Sequence, residues 1–320
     1  TSKRNKIFSQ VCQRGAQQNS KIEAHVKQIL HAVERNGDAA VCRYVKQFDG
    51  LRLQPKEFRV KKDEIKNAYQ CISKQELDAL RMAAKRIRVF HERQRLKTWV
   101  HVEKGVKLGQ LITPLDAVGV YVPGGKALYP STVLMNVIPA KVAGVGRVIM
   151  CTPTSNGQIH PYLLVAADLS GVDGVYRVGG VQAVGAMAYG TKHISKTDKI
   201  VGPGNMYVAA AKRIVYGVVD IDMIAGPSEL LVIADDTANP KHCAADLLCE
   251  AEHDEEARVY LVTPSVQLAK SVVKEVSKQL RKLSRKRIAM HSVGQYATAF
   301  VTSTMDQAFD VANAIAAEHL

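Results

Sequence analysis

Residues 117–125, Ala117-Val118-Gly119-Val120-Tyr121-Val122-Pro123-Gly124-Gly125, decide the fold. A short run rich in valine breaks at a Pro-Gly-Gly turn, and a helical apolar pattern over 132–143 follows it. A strand handed to a helix through glycine is the repeating unit of an α/β protein. The alternation continues to the end of the chain. Apolar runs at 117–122, 148–151, 175–178, 199–201, 230–234, 259–262 and 299–301 predict strands. Patterns at 132–143, 159–169, 181–189, 206–215, 240–252, 265–280 and 305–317 predict helices between most of them. Strands separated by helices pair in parallel, so the expected fold is α/β with two Rossmann-like parallel-sheet domains. The most hydrophobic strand, Leu230-Leu231-Val232-Ile233-Ala234, is expected to be buried on both faces.

Upstream of residue 111 no strand pattern is strong, and the N-terminal region reads as helical. Ser20 is placed to cap a helix reaching about residue 34, with Ile22, Val26, Ile29 and Val33 on one face and Gly37 as its stop. Ser73 is placed to cap another, running through a basic segment to about Arg95. Trp99 reads as a packing residue, and His160 and His193 as surface residues.

The 320 residues suggest two domains, and a chain 47% hydrophobic and 23% charged is of ordinary globular composition. No apolar run is long enough to span a bilayer, so no membrane partner is expected. The basic stretch Thr1-Ser2-Lys3-Arg4-Asn5-Lys6 has no apolar segment behind it and does not read as a secretory signal. Cys12, Cys42, Cys71, Cys151, Cys243 and Cys249 show no paired spacing, which fits reduced thiols in a cytoplasm. The net charge of +14 raises nucleic acid as a partner, but equally suits an anionic cofactor. The basic residues are dispersed, and 6% aromatics are too few for a base-stacking platform, so no nucleic-acid partner is expected. The densest basic cluster, 281–287, reads as a solvated connection after a helix.

Glycine recurs where strands give way to helices: Tyr121–Gly125, Val178-Gly179-Gly180 ahead of Gln182, and Gly202-Pro203-Gly204-Asn205. A fourth glycine turn, Ala225-Gly226-Pro227-Ser228, precedes the 230–234 strand. Such turns let backbone approach a ligand, and ligands gather beyond the carboxyl ends of parallel strands. There is no GxGxxG, so a dinucleotide would bind without the ordinary fingerprint. Glu250 and His253, at i and i+3 in Leu247-Leu248-Cys249-Glu250-Ala251-Glu252-His253-Asp254, share a helical face and can grip one divalent metal; the plainer alternative is a surface ion pair. No second ExxH exists to complete a di-iron site. Glu318-His319 reads as a polar helix end or as a pair of proton handlers. Cys151 at a strand end invites a thiohemiacetal mechanism, against the alternative of a buried structural thiol.

The ordered series Tyr121-Val-Pro-Gly-Gly, Ser131-Thr-Val-Leu-Met-Asn136, Gly179-Gly-Val-Gln182-Ala, Gly202-Pro-Gly-Asn205, Ala225-Gly-Pro-Ser-Glu229, Ala251-Glu-His253 and Ala317-Glu318-His319-Leu320 resembles histidinol dehydrogenase. The resemblance runs from about Ser20 to the last residue. It implies a homodimeric, NAD-dependent zinc oxidoreductase that converts L-histidinol through L-histidinal to L-histidine in histidine biosynthesis. By resemblance Tyr121, Gln182 and Asn205 contact NAD, Glu250 and His253 bind zinc, and Ser228, Glu250, His253 and His319 contact substrate. His319 is the base for the alcohol and Glu318 activates water. The implied domains are 121–230, an inserted NAD-binding domain, and 1–120 plus 231–320, a discontinuous zinc, substrate and catalytic domain. Two departures stand out. The family has Gln where Glu250 stands, which adds negative charge that should tighten metal binding and weaken the metal as a Lewis acid. The family also continues beyond the position of Leu320 with further zinc ligands, and a partner's tail completes its active site. Two other readings follow from that: a related zinc-dependent dehydrogenase of another polar alcohol such as a sulfonated diol, and a truncated, inactive homologue that folds and dimerises.

Overall fold

A computed structural model describes residues 8, 9, 11, 12, 20–124, 128–154, 156–224 and 226–320. The chain divides into two compact units, one of residues 18–224 and one that joins 1–17 to 225–320. Each is built on a parallel sheet.

The first unit opens with helices α1 (Ser20–Asn36), α2 (Asp38–Asp49), α3 (Lys62–Ala68) and α4 (Lys74–Glu92). Strands β1 (Trp99–Glu103) and β2 (Val106–Gln110) then form an antiparallel ribbon. The main sheet follows: β3 (Ala117–Tyr121), α5 (Pro130–Val142), β4 (Arg147–Cys151), α6 (Pro161–Ser170), β5 (Gly174–Tyr176), α7 (Gly180–Tyr189), β6 (Lys199–Val201), α8 (Met206–Val215) and β7 (Asp220–Ile221). Its order is β5-β4-β3-β6-β7, with parallel neighbours throughout.

The period of two along these strands sorts side chains into two cores. Val118, Val120, Val148, Met150 and Val175 pack on one face with α3, α4, α5 and α6. Tyr121, Ile149, Cys151 and Tyr176 pack on the other with α1, α2, α7 and α8. The sheet is therefore doubly wound. The apolar stripe Val26, Ile29, Leu30 and Val33 of α1 is fully buried against α7, where Gly185 leaves room for Leu30 and Val33. Residues 58–60 also join the sheet. Arg59 bridges Tyr176 antiparallel, and Val60 N donates to Val175 O at 2.8 Å.

These contacts move the domain boundary expected from sequence. A cut at residue 121 would fall on the last residue of β3, and the N-terminal helices cover the 18–224 sheet rather than joining 231–320.

The second unit has strands β8 (Glu229–Ile233), β9 (Arg258–Thr263) and β10 (Thr298–Val301), in the order β10-β9-β8 and all parallel. Helices α9 (Pro240–Ala251), α10 (Val266–Leu280) and α11 (Lys286–Tyr296) face Leu230, Val232, Val259 and Leu261. Helix α12 (Met305–Ile315), with Phe8, Val11 and Cys12, faces Leu231, Tyr260 and Val262.

Several expectations need correction. The β1–β2 ribbon was not legible, because every one of its residues is exposed and no alternation marks a buried face. Trp99 is 55% exposed there and its Nε1 donates to Gln110 Oε1, so it is not a packing residue. The strand expected to be most buried, β8, lies at the sheet edge and leaves Leu230, Val232 and Ile233 half-buried; the central β9 is the buried one. The basic 281–287 stretch is a connection as far as residue 285, and its last two residues, Lys286 and Arg287, open α11. Gly125, Ala225 and Thr1–Lys6 lie outside the described residues.

Ser73 caps α4 as its sequence implied: its Oγ accepts from Glu76 N, and Glu76 Oε2 accepts from Ser73 N. A capping box of this kind satisfies two donors that the helix leaves open. Ser73→Ala should therefore destabilise the protein by about 1 kcal/mol, visible as a lower urea midpoint. An unchanged midpoint would show that the cap contributes nothing to this helix.

Candidate active site

In the first unit, the order in which strands are added reverses about β3. The chain steps from β3 outward to β4 and β5, then crosses back to β6 and β7 on the other side. The switch lies between β3 and β6, and open α/β sheets bind ligands beyond the carboxyl ends of their strands at such a crevice. Three of the glycine turns converge there. Gly202, just after β6, has φ +109, and a Cβ on it would lie 2.1 Å from the carbonyl oxygen of Tyr121 at the end of β3. Gly179 lies so close to Pro153, beyond β4, that a Cβ would sit 2.4 Å from the proline ring. The Tyr121 hydroxyl accepts from Gly180 N at 3.1 Å, which ties β3 to the start of α7. Burial pushes that phenol up to about 12, so Tyr121 is neutral at any working pH.

Gln182 is buried in the first turn of α7, and its Oε1 has no hydrogen-bond partner. Thr154 Oγ1, in the turn after β4, is also buried and unpartnered. Orphaned buried acceptors are rare in native proteins and call for an explanation, of which an absent ligand is one. Asn205 caps α8, its Oδ1 accepting from Tyr207 N and Val208 N, both at 3.1 Å. Its oxygen is thus committed to the helix, and only its amide NH2 remains to face a ligand.

One pair escaped sequence reasoning. Lys212 of α8 is buried, with its Nζ on Gly202 O at 2.9 Å and in an ion pair with Asp222. The signal was present: Val208, Ala211, Lys212 and Val215 share the helical i, i+3, i+4, i+7 stripe, so the lysine falls on an apolar face.

In the second unit the relevant end is the amino end of the sheet. Helix α9 runs back from the carboxyl end of β8, and its last turn carries Glu250, followed by His253, whose N donates to Glu250 O at 3.0 Å. Ser228 stands immediately before β8, its carbonyl accepting from Arg258 N at 2.9 Å. His319 is not at a helix end, because α12 stops at Ile315 and Ala316 turns left-handed at φ 45. It lies in a strand-like bridge beside Leu230, donating to Glu229 O and accepting from Leu231 N, both at 2.9 Å. Side chains paired across a ladder point to one face. Leu230 packs in the α9 core, so His319 projects on the α9 side, at the end where α9 finishes. Ser228, Glu250, His253 and His319 thus share one end of this unit.

Among the described residues no three His, Cys, Asp or Glu side chains converge on a metal position. Glu250 and His253 are oxygen and nitrogen donors of the type zinc takes, but a catalytic zinc needs three protein ligands. This pair alone falls short of that number.

A doubly wound sheet with glycine turns gathered at its switch point defines an α/β protein of the class that binds ligands beyond the carboxyl ends of its strands. The family model for histidinol dehydrogenase matches residues 12–320. The histidinol dehydrogenase of Aquifex aeolicus is 51% identical over 318 residues, 99% of this chain and 74% of that protein. That of Bacillus cereus (strain ATCC 10987 / NRS 248) is 50% identical over 300 residues, 93% of this chain and 70% of that protein. The crystal structure of histidinol dehydrogenase from Elizabethkingia anophelis superposes with a TM-score of 0.90 at 39% identity, covering 98% of this chain and 72% of that one. The chain belongs to the histidinol dehydrogenase family, oxidoreductases of the histidine pathway.

Cys151 carries no nucleophile's signature. It is fully buried, and burial pushes its thiol up to about 12. A reactive cysteine needs an exposed, stabilised thiolate. Labelling the native protein with iodoacetamide at pH 8 should modify exposed Cys71 and Cys249 and leave Cys151 untouched until unfolding. Rapid native modification of Cys151, read by peptide mass spectrometry, would reopen the thiohemiacetal mechanism.

Proposed function

We propose that this protein oxidises L-histidinol through L-histidinal to L-histidine, with NAD bound at the switch point of the 18–224 unit. The single observation that carries the NAD placement is the convergence of the Tyr121, Gly179 and Gly202 turns there beside the orphaned Gln182 Oε1. The helix starts at Gly180 and Met206 turn the positive ends of two helix dipoles toward the same place, which suits an anionic pyrophosphate even though Gly180 N, Tyr207 N and Val208 N already have partners. Tyr121, Gln182 and Asn205 are the proposed contacts. NAD supplies the hydride acceptor for each of the two oxidations.

The protein's own task is to move protons. Oxidising an alcohol requires a base at the hydroxyl, and an imidazole that titrates near neutrality suits it. His319 is that base. Its N–H and C=O both bond to β8, which fixes the position of the ring's origin. Glu318, next to it and exposed, orients and deprotonates the water that attacks the aldehyde. Ser228 contacts the substrate, as do Glu250 and His253.

Glu250 and His253 also contribute to a zinc shell. Two ligands do not complete such a shell, and the chain spans 70–74% of the length of these relatives. A second copy of the chain is the proposed partner. The two-stranded ribbon exposes Trp99, Val100, Val102, Val106 and Leu108, and such ribbons are marginal in water without packing. Free thiols at every cysteine support a cytoplasmic setting.

The division of proton work is tested in the full-length protein. His319→Asn should cripple the first NADH-forming step from histidinol. Glu318→Gln should spare that step and slow oxidation of supplied histidinal, by roughly 10²–10⁴ as for the loss of one general base. Pre-steady-state NADH formation separates the two. Equal damage to both steps by Glu318→Gln would show that the pair acts as a unit, and no NADH from histidinol in the unmutated protein would overturn the reading.

A further inference from the structure

We propose that Lys212 and Asp222 form a positioning device that holds the Gly202–Asn205 turn in its dinucleotide-binding shape. The inference rests on the NAD placement above and goes beyond it in naming what builds the site. The pair grips both the N–H and the C=O of one residue. Asp222 Oδ2 accepts from Gly202 N at 2.7 Å, and Lys212 Nζ donates to Gly202 O at 2.9 Å. The other Asp222 oxygen meets Lys212 Nζ directly. Only 4% of the Lys212 side chain is exposed, against 28% for Asp222. The third restraint on Gly202 is the Tyr121 carbonyl against its Cα.

Stability alone is a poor reason for such an arrangement. A buried ammonium loses its hydration, and apolar residues of similar volume often stabilise as well or better. What the charges supply that apolar groups cannot is a fixed direction for a particular N–H and C=O. Gly202 is the first residue of the turn, and Asn205, its last, caps the helix that carries Lys212. Fixing Gly202 at one end and Asn205 at the other restricts the course of Pro203 and Gly204 between them, at the carboxyl end of β6. Lys212 touches the loop rather than the ligand, so its effect on binding is indirect.

A control lies on the same strands. Lys199 and Asp220 form an ion pair at 2.8 Å across β6 and β7, but Lys199 is only half-buried, Asp220 is exposed, and neither bonds the turn. NAD affinity would be measured by calorimetry on the full-length protein, with KM for NAD and for histidinol alongside. Lys212→Met should raise the NAD Kd at least tenfold and leave histidinol KM within twofold. Asp222→Asn keeps an acceptor for Gly202 N but loses the charge, and should raise the NAD Kd less. The double variant should be no worse than Lys212→Met, because both changes release the same loop. Lys199→Met should change nothing. If Lys212→Met does not fold by circular dichroism, Asp222→Asn decides: an unchanged NAD Kd there overturns the proposal. An unchanged Kd in folded Lys212→Met also overturns it, as does an equal rise in Lys199→Met. An unmutated protein that oxidises histidinol but binds NAD without involving this turn, shown by an unchanged Kd in Asn205→Ala, removes the NAD placement itself.

Discussion

The carbonyl oxygen of Tyr121 lies 2.1 Å from where a side chain on Gly202 would begin. That approach is possible only because residue 202 has no Cβ and can hold φ at +109. It brings the end of β3 against the turn after β6, the two strands between which the order of strand addition reverses. Everything proposed about the dinucleotide depends on it. The Tyr121 hydroxyl reaches across to Gly180, so the start of α7 is drawn into the same crevice with Gln182. Lys212 and Asp222 close the other side. The crevice is thus made of main chain, and side chains serve mainly to hold that main chain still.

The second unit solves a different problem. Proton transfer needs side chains at defined positions, and short parallel strands supply them at their ends. His319 is fixed by pairing its backbone with β8, although it lies outside any strand of the sheet. Glu250 and His253 are fixed by the end of α9, which packs on the same face as Leu230. Three strands in simple order give no switch point here. The residues proposed for the chemistry of this unit accordingly lie at its amino end, on a helix terminus and a returning chain.

Much of this was legible in the sequence. Strand–helix alternation is strong where each element buries a face, and β6 and α8 fall where their patterns put them. Glycine turns after three strands pointed together to the switch point, although each alone reads as no more than a tight turn. What failed had physical reasons. The β1–β2 ribbon buries nothing, so it leaves no period in the sequence. Helix α11 buries only Ala289 and Ser292, small residues that give a faint stripe. The edge position of β8 is a property of topology, which local hydrophobicity does not report. The strand-like placement of His319 depends on a non-local bridge across the unit. Lys212 was readable in principle, but a lysine on an apolar stripe announces a buried partner without naming Asp222.

The central claim is that NAD occupies the crevice between β3 and β6, and amide hydrogen exchange with and without NAD tests it most directly. The account predicts slowed exchange in three separated stretches together: 122–124, 179–182 and 202–205. Protection confined to residues 226–320, or none in these turns under saturating NAD, would contradict it.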